Sequence, residues 1–193
     1  MAERVTKMMH DKEFIEERTE LEDRHALAEL FAKKRFRKGA EVGVAQGYNS
    51  MMFLENIPGL NLICVDPWNL LRWNEVYPDA VNNLSPYKGA TIIRQFSTEA
   101  AKLIPDNWLD FVYIDGDHGY QPCLDDINAW APKVRKGGIV SGHDYIYYHT
   151  NVEVVTAVDD YVKEHNCELK LTKWNRHHPL RDERQPSWWF EKE

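Results

Sequence analysis

Short unbroken runs of apolar residues alternate along this chain with stretches whose apolar residues recur every three or four positions, a pattern that predicts strands separated by helices. The clearest run is Phe111-Val-Tyr-Ile114, which reads as a strand buried on both faces, as in a parallel sheet covered by helices. It stops at Asp115-Gly-Asp-His118, and Tyr120 and Pro122 open a helix with Leu124, Ile127 and Ala131 on one face. Strands are also expected at 39–41, 61–66, 90–94 and 139–142. The helices between them are expected over 50–56, from Ser97 to Pro105, and over 152–165, the last with Val154, Ala157, Val158, Tyr161 and Val162 inward. Two final strands, 168–173 and 187–190, have no helix between them and should form a hairpin, so that one runs antiparallel to the rest. Of Trp188 and Trp189, one is expected in the core and the other at an edge or interface.

Residues 11–36 are helical in composition, with a stripe of Phe14 and Ile15, then Leu27, Leu30 and Phe31, and should cover the edge or mouth of the sheet. Residues 69–86 hold Trp73, Tyr77 and two prolines and read as a long loop with one helix near 79–84. The whole predicts one α/β domain over 1–193, with a helical cap at 1–37 and a Rossmann-like core at 38–193.

Charge and cysteine usage narrow the picture. The 24 basic against 31 acidic residues give a net charge of −7, the wrong sign for an extended nucleic-acid surface. The charged start, Met1-Ala-Glu-Arg-Val5, has no apolar segment of a secretory signal, and no apolar run approaches the ~20 residues that cross a bilayer. Three separated cysteines form neither a CxxC zinc motif nor a disulfide framework, so a cytoplasmic location is expected, with no nucleic-acid or membrane partner.

Candidate chemistry gathers at the strand ends. The first supplies Glu41 and the loop from Gly43 to Gly47, the second Asp66, the third Phe96-Ser97, the fourth Asp115 and His118, and the fifth His143-Asp144. Asp66 follows Gly47 by 19 positions, close to the spacing in nucleoside-binding folds, and its two oxygens suit a vicinal ribose diol. A dinucleotide favours G-x-G-x-x-G with a pyrophosphate on the helix N-terminus. Here the third glycine is missing, and Glu41 ahead of the loop would repel a diphosphate while suiting the ammonium group of S-adenosylmethionine.

Glu41-Val-Gly43-x-x-x-Gly47-x-x-Ser50, Val65-Asp-Pro-Trp68, Tyr113-Ile-Asp-Gly-Asp-His-Gly-Tyr120, and Gly137-Gly138 leading to Gly142-His-Asp-Tyr145 together resemble a class I S-adenosylmethionine-dependent methyltransferase. The similarity is to the small-molecule O-methyltransferase branch, with macrocin-type and catechol-type relatives. It implies a three-layer fold whose seven-stranded, mostly parallel sheet has order 3-2-1-4-5-7-6, with strand 7 antiparallel and helices on both faces. It also implies that Glu41, Gly43, Val44, Gly47 and Ser50 hold the methionine part and Asp66 the ribose. Pro67, Trp68, Phe96 and Ser97 would flank the adenine, and Asp115 would face the methionine or a metal. Where catechol-type relatives place a lysine this chain has His118, an imidazole suited to take a hydroxyl proton, so His118 and Asp115 are the expected catalytic pair. Asp115, His143 and Asp144 stand where those relatives bind magnesium, so a divalent cation is a second expected cofactor.

The expected partner is a small-molecule methyl acceptor, a sugar or a phenol, gripped by aromatics such as Trp73, Tyr77, Tyr145, Tyr147 and Tyr148. An NAD(P)-dependent reductase and a non-catalytic cofactor-binding module are the alternatives. The acceptor, the role of Asp117 and the choice between monomer and homo-oligomer stay open.

Overall fold

The computed structural model describes residues 16–69, 71–146, 153–175, 177–178 and 184–193, with the side chains of residues 71–73 left aside. Among the described residues eight strands form one sheet: β1 (Thr19–Leu21), β2 (Lys38–Val42), β3 (Asn61–Val65), β4 (Ala90–Ile93), β5 (Leu109–Ile114), β6 (Val134–Gly142), β7 (Lys170–Thr172) and β8 (Trp188–Glu191). Their order is β1-β7-β8-β6-β5-β2-β3-β4, with β8 antiparallel to both its neighbours and every other pairing parallel. From β4 across to β7 this is the expected seven-stranded arrangement. The addition is β1, which pairs with β7 inside the segment expected to be wholly helical. Thr19-Glu-Leu21 is too short to show a strand period, and only an open edge of β7 makes it a strand.

Among the described residues the α-helices after β1 are, in order, α1 (Arg24–Lys33), α2 (Tyr48–Asn56), α3 (Leu71–Leu84), α4 (Ser97–Ala101), α5 (Tyr120–Trp130) and α6 (Val154–His165). Asp23 starts α1 as an N-cap, its carboxylate accepting from the Ala26 amide at 2.8 Å. Helix α3 corrects the expected loop. Pro78 sits inside it, at the cost of one backbone donor, and burial of Ala80 and Leu84 holds the helix together.

Strand alternation divides the core. Phe111 and Tyr113 point toward α1, α2 and α3, where Phe31 stacks on Phe111 with ring centroids 4.3 Å apart. Val112 and Ile114 point toward α4, α5 and α6, against Cys123, Ile127, Trp130 and Val158. Trp188 and Trp189 obey the same alternation and are both buried, one in each layer, so neither lies at an exposed edge. Each strand of the central group is thus apolar on both faces, and its polar residues are left to the ends.

Candidate active site

Strand β2 pairs with β3 on one side and β5 on the other, so the chain reverses its direction of winding beside β2. A crevice opens at such a reversal beyond the carboxyl ends of parallel strands. Here it is a cavity of about 510 Å³, within the usual size for a cofactor site. Val42 and Gly43, Val65 to Pro67, Phe96 to Thr98, and Asp115 to Asp117 line it from four strand ends, and Pro122, Asp125 and Asp126 close it from α5.

The glycine loop is clamped from three sides. Asp66 accepts from the Ala45 amide at 3.0 Å and from the Trp68 amide at 2.7 Å, the Trp68 indole donates to the Ala45 carbonyl at 2.9 Å, and Asn83 of α3 donates to the Gln46 carbonyl at 3.0 Å. Burial pushes the Asp66 carboxyl above its ordinary range even though three backbone amides pull the other way. Of the expected cofactor residues, Gly43, Asp66, Pro67, Phe96, Ser97 and Asp115 line the cavity. Glu41, Val44, Gly47, Ser50 and Trp68 do not.

Trp68 is the plainest correction. With φ at 42° its indole turns under the glycine loop, where it is fully buried against Tyr77 and cannot flank a base. Tyr77 is committed to that stack and to Arg94, which lies 4.5 Å over its ring, and Tyr145 is buried with its hydroxyl donating to Asp159. Neither is free to grip an acceptor. Tyr147, Tyr148 and the side chain of Trp73 lie outside the described residues.

Glu41 sits beneath the loop, almost wholly buried, with Ser50 donating to one oxygen and Asn49 to the other at 2.8 Å. It therefore ties the end of β2 to the first turn of α2. Burial pushes its carboxyl up from 4.5 to about 7. A carboxyl with a raised native pKa holds its extra proton between those limits, so this group's contribution to stability is full below pH 4.5 and is lost as pH rises through 7. Glu41→Gln is expected to remove that loss, leaving the variant about 2–3 kcal/mol more stable than the parent at pH 8 and nearly equal at pH 4.5. Urea denaturation at the two pH values checks it, and a variant less stable at pH 8 would refute it.

The second centre stands beside the cavity. His118 Nε2 lies 3.1 Å from Asp144 Oδ2 and 3.8 Å from Asp115 Oδ1, and His143 Nδ1 lies 3.5 Å and 3.8 Å from the same two atoms. Two imidazoles thus face one pair of carboxylates. Ligand atoms of Asp115, His118 and Asp144 all fall within 4.8 Å of one another, so in the group that could hold a cation His118 stands in the place expected for His143. His143 is the more buried imidazole, with a side chain 6% exposed against 39% for His118. A hydrogen bond to Asp115 raises the His118 pKa against the opposing effect of burial, and Asp144, Asp115 and Asp117 add to the rise. For His143, burial pulls the pKa down, and the two carboxylates outweigh it to leave a net rise. Burial alone would raise Asp144, but its hydrogen bond with His143 and the nearby positive charges lower it.

Several supports escaped the sequence. Asp117 bonds the Gly119 amide at 2.8 Å, which fixes the turn after β5 and gives the residue a structural task. The Glu153 amide donates to the His118 carbonyl at 2.8 Å, and its carboxylate accepts from the Tyr120 amide at 3.1 Å, so the approach to α6 pins the loop that carries His118. Asn83 and Asp126 were likewise invisible, being polar residues on otherwise ordinary amphipathic helices.

Known proteins agree with this architecture. The chain is 32% identical over 129 residues to an uncharacterised protein of Acanthamoeba polyphaga mimivirus, the match covering 64% of this chain and 58% of the relative's length. Among solved structures, an O-methyltransferase from Bacillus cereus in complex with S-adenosylhomocysteine superposes with a TM-score of 0.66 at 12% identity, over 87% of this chain and 80% of that one. The O-methyltransferase TomG from Streptomyces achromogenes, in complex with S-adenosylmethionine, gives 0.65 at 13% identity over 88% and 80%. A family model described as a methyltransferase domain matches residues 40–145, more than half of the chain, and takes in the glycine loop, Asp66 and the Asp115–His118–His143–Asp144 group. The protein has the class I methyltransferase fold and belongs to this methyltransferase-domain family.

Proposed function

We propose that the protein transfers a methyl group from S-adenosylmethionine to a hydroxyl oxygen of a small molecule, a sugar or a phenol. The observation that carries this reading is the charge of the cavity. Asp66, Asp115, Asp117, Asp125 and Asp126 line it, and no lysine or arginine does so among the described residues. Such a wall attracts a sulfonium and an ammonium group and repels a diphosphate, which argues against a dinucleotide reductase. The close seat of Gly43 against the Asp115 backbone and the place of Asp66 in the cavity wall fit the same cofactor.

When bound, S-adenosylmethionine supplies an already activated methyl group. The chain's own task is then to orient the acceptor and remove its proton. In this reading His118 takes that proton at Nδ1, while its Nε2–H points at the Asp144 and Asp115 carboxylates, which orient the ring and stabilise the imidazolium that results. The convergence of Asp115, His118 and Asp144 favours a second arrangement in which the three hold a divalent cation beside the hydroxyl. Two carboxylates and an imidazole fit a borderline metal. Activity lost in EDTA and restored by magnesium or manganese selects the cation; an unaltered rate selects the imidazole as base.

No helix among the described residues is long and apolar enough to cross a membrane. The three cysteines are free thiols, which fits the reducing, cytoplasmic setting of this reading. Calorimetry tests the cofactor. S-adenosylhomocysteine should bind and NADH should not, and Asp66→Ala should weaken S-adenosylhomocysteine at least about tenfold. Binding of NADH alone would reverse the reading. A labelled-methyl screen over hydroxyl acceptors separates an enzyme from a module that only binds.

A further inference from the structure

Helix α1 carries an arginine toward the second centre. Strand β8 is antiparallel to both β6 and β7, and β1 is parallel to β7, so β1 runs in the same direction as β5 and β6. The chain thus leaves β1 on the side of the carboxyl ends of those strands. From there α1 descends to Lys34, which pairs at 2.6 Å with Glu191, the last residue of the antiparallel β8. Leu27, Ala28 and Phe31 are fully buried and share one cluster with Phe111, Tyr113 and Ile139 of β5 and β6. Arg24 precedes them by three, four and seven positions, so it lies on the same inward face, one turn nearer the strand ends. Helical side chains lean toward their own N-terminus, which sends the half-buried Arg24 toward the level where β5 and β6 give way to Asp115 and His143. Its charge registers there. Behind burial and closer partners, Arg24 pulls down on the pKa of Glu41, His143 and Asp144 alike.

The crevice is divided by charge. Aspartates wall its cofactor side, whereas the side under α1 has the imidazoles of His118 and His143 and the guanidinium of Arg24. A guanidinium presents several N–H donors in a flat fork that matches a carboxylate, so pairing with a neighbouring side chain leaves donors to spare. A single negative charge suits the place, because a phosphate dianion would also meet Glu41, Asp115 and Asp144. We infer that the methyl acceptor carries a carboxylate, which Arg24 of α1 holds while the acceptor's hydroxyl lies at His118. Arg24 sets specificity and takes no part in the proton transfer. The inference rests on the methyl-transfer reading of the site and adds the acceptor's charge to it.

Calorimetry on the S-adenosylhomocysteine complex tests it with protocatechuate, a catechol bearing one carboxylate, with its neutral carboxamide, and with the matching phosphonate. The carboxylate should bind at least about tenfold more tightly than the carboxamide, and more tightly than the phosphonate. Arg24→Gln should bring the carboxylate and the carboxamide within about twofold, and Arg24→Lys should keep part of the preference. An Arg24 that only anchored α1 would weaken both compounds alike and leave their ratio unchanged. Should Arg24→Gln fail to fold, Arg24→Met gives the same comparison. Equal wild-type affinities, a preference that survives loss of the guanidinium, tighter binding of the phosphonate, or no binding of any of the three would overturn the inference. Labelled-methyl transfer to a neutral hydroxyl acceptor would then leave the function itself intact. No binding of S-adenosylhomocysteine by the wild-type protein would overturn both.

Discussion

His118→Ala is expected to slow methyl transfer by about two to four orders of magnitude, with S-adenosylhomocysteine affinity changing less than about threefold. The separation follows from position. His118 stands outside the cavity lining, its Nε2 held at 3.1 Å from Asp144, with more than a third of its side chain open to an incoming acceptor. Its hydrogen bond to Asp115 and the surrounding carboxylates raise its pKa above the usual 6.5. The neutral ring needed to accept a proton therefore builds up only as pH rises past that value, and the parent's rate should climb across the same interval. The alanine variant should lose both the rate and the climb. Steady-state rates between pH 6 and 9, with affinity measured in parallel, decide the matter. A variant with parental rate and pH profile would leave His118 as no more than an anchor for its loop.

What the sequence made legible was the frame. Runs such as Phe111–Ile114 are apolar on both faces because the strand is covered on both faces, so periodicity and burial carry the same information there. The acids and glycines at strand ends were legible for a related reason: a buried strand has no use for Asp66 or Asp115, and their abrupt appearance marks the crevice. Trp68 was misread because its direction depends on a positive φ at an ordinary residue, which no local pattern announces. Helix α3 was misread because Pro78 outweighs its amphipathic face on paper, whereas the packed surface beneath outweighs Pro78 in the fold. Asp126 and Glu153 act across the fold, on Ser97 and on His118 and Tyr120, and residues whose meaning is a long-range partner have no signature in one chain. The same limit hid His118 from the cation group, because its approach to Asp144 is set by the two loops meeting and not by spacing.

Gly43→Ala should cost about 3 kcal/mol or more of stability and remove measurable S-adenosylhomocysteine binding. Two effects combine at this position. The backbone holds φ at 87°, where a side chain is strained, and a Cβ would lie 1.9 Å from the Asp115 carbonyl oxygen. The second effect dominates, because the obstructing atom is backbone and cannot rotate away. The Asp115 amide is bonded to the Val42 carbonyl at 2.7 Å, and the Gly43 amide to the Val65 carbonyl at 2.9 Å. Any shift that relieves the clash therefore opens β2 from β3 or from β5, and carries Asp66 or Asp115 out of the cavity wall. Gly59 supplies the control. Its φ of 70° is equally unusual for a side chain, yet a Cβ there meets nothing nearer than the Arg37 side chain at 3.6 Å. Gly59→Ala should cost only about 1–2 kcal/mol and leave binding unchanged. Chemical denaturation and calorimetry on the two variants separate conformational strain from collision. If Gly43→Ala lost no more than Gly59→Ala and still bound S-adenosylhomocysteine, the close seat of the loop against Asp115 would have no part in forming the cofactor site.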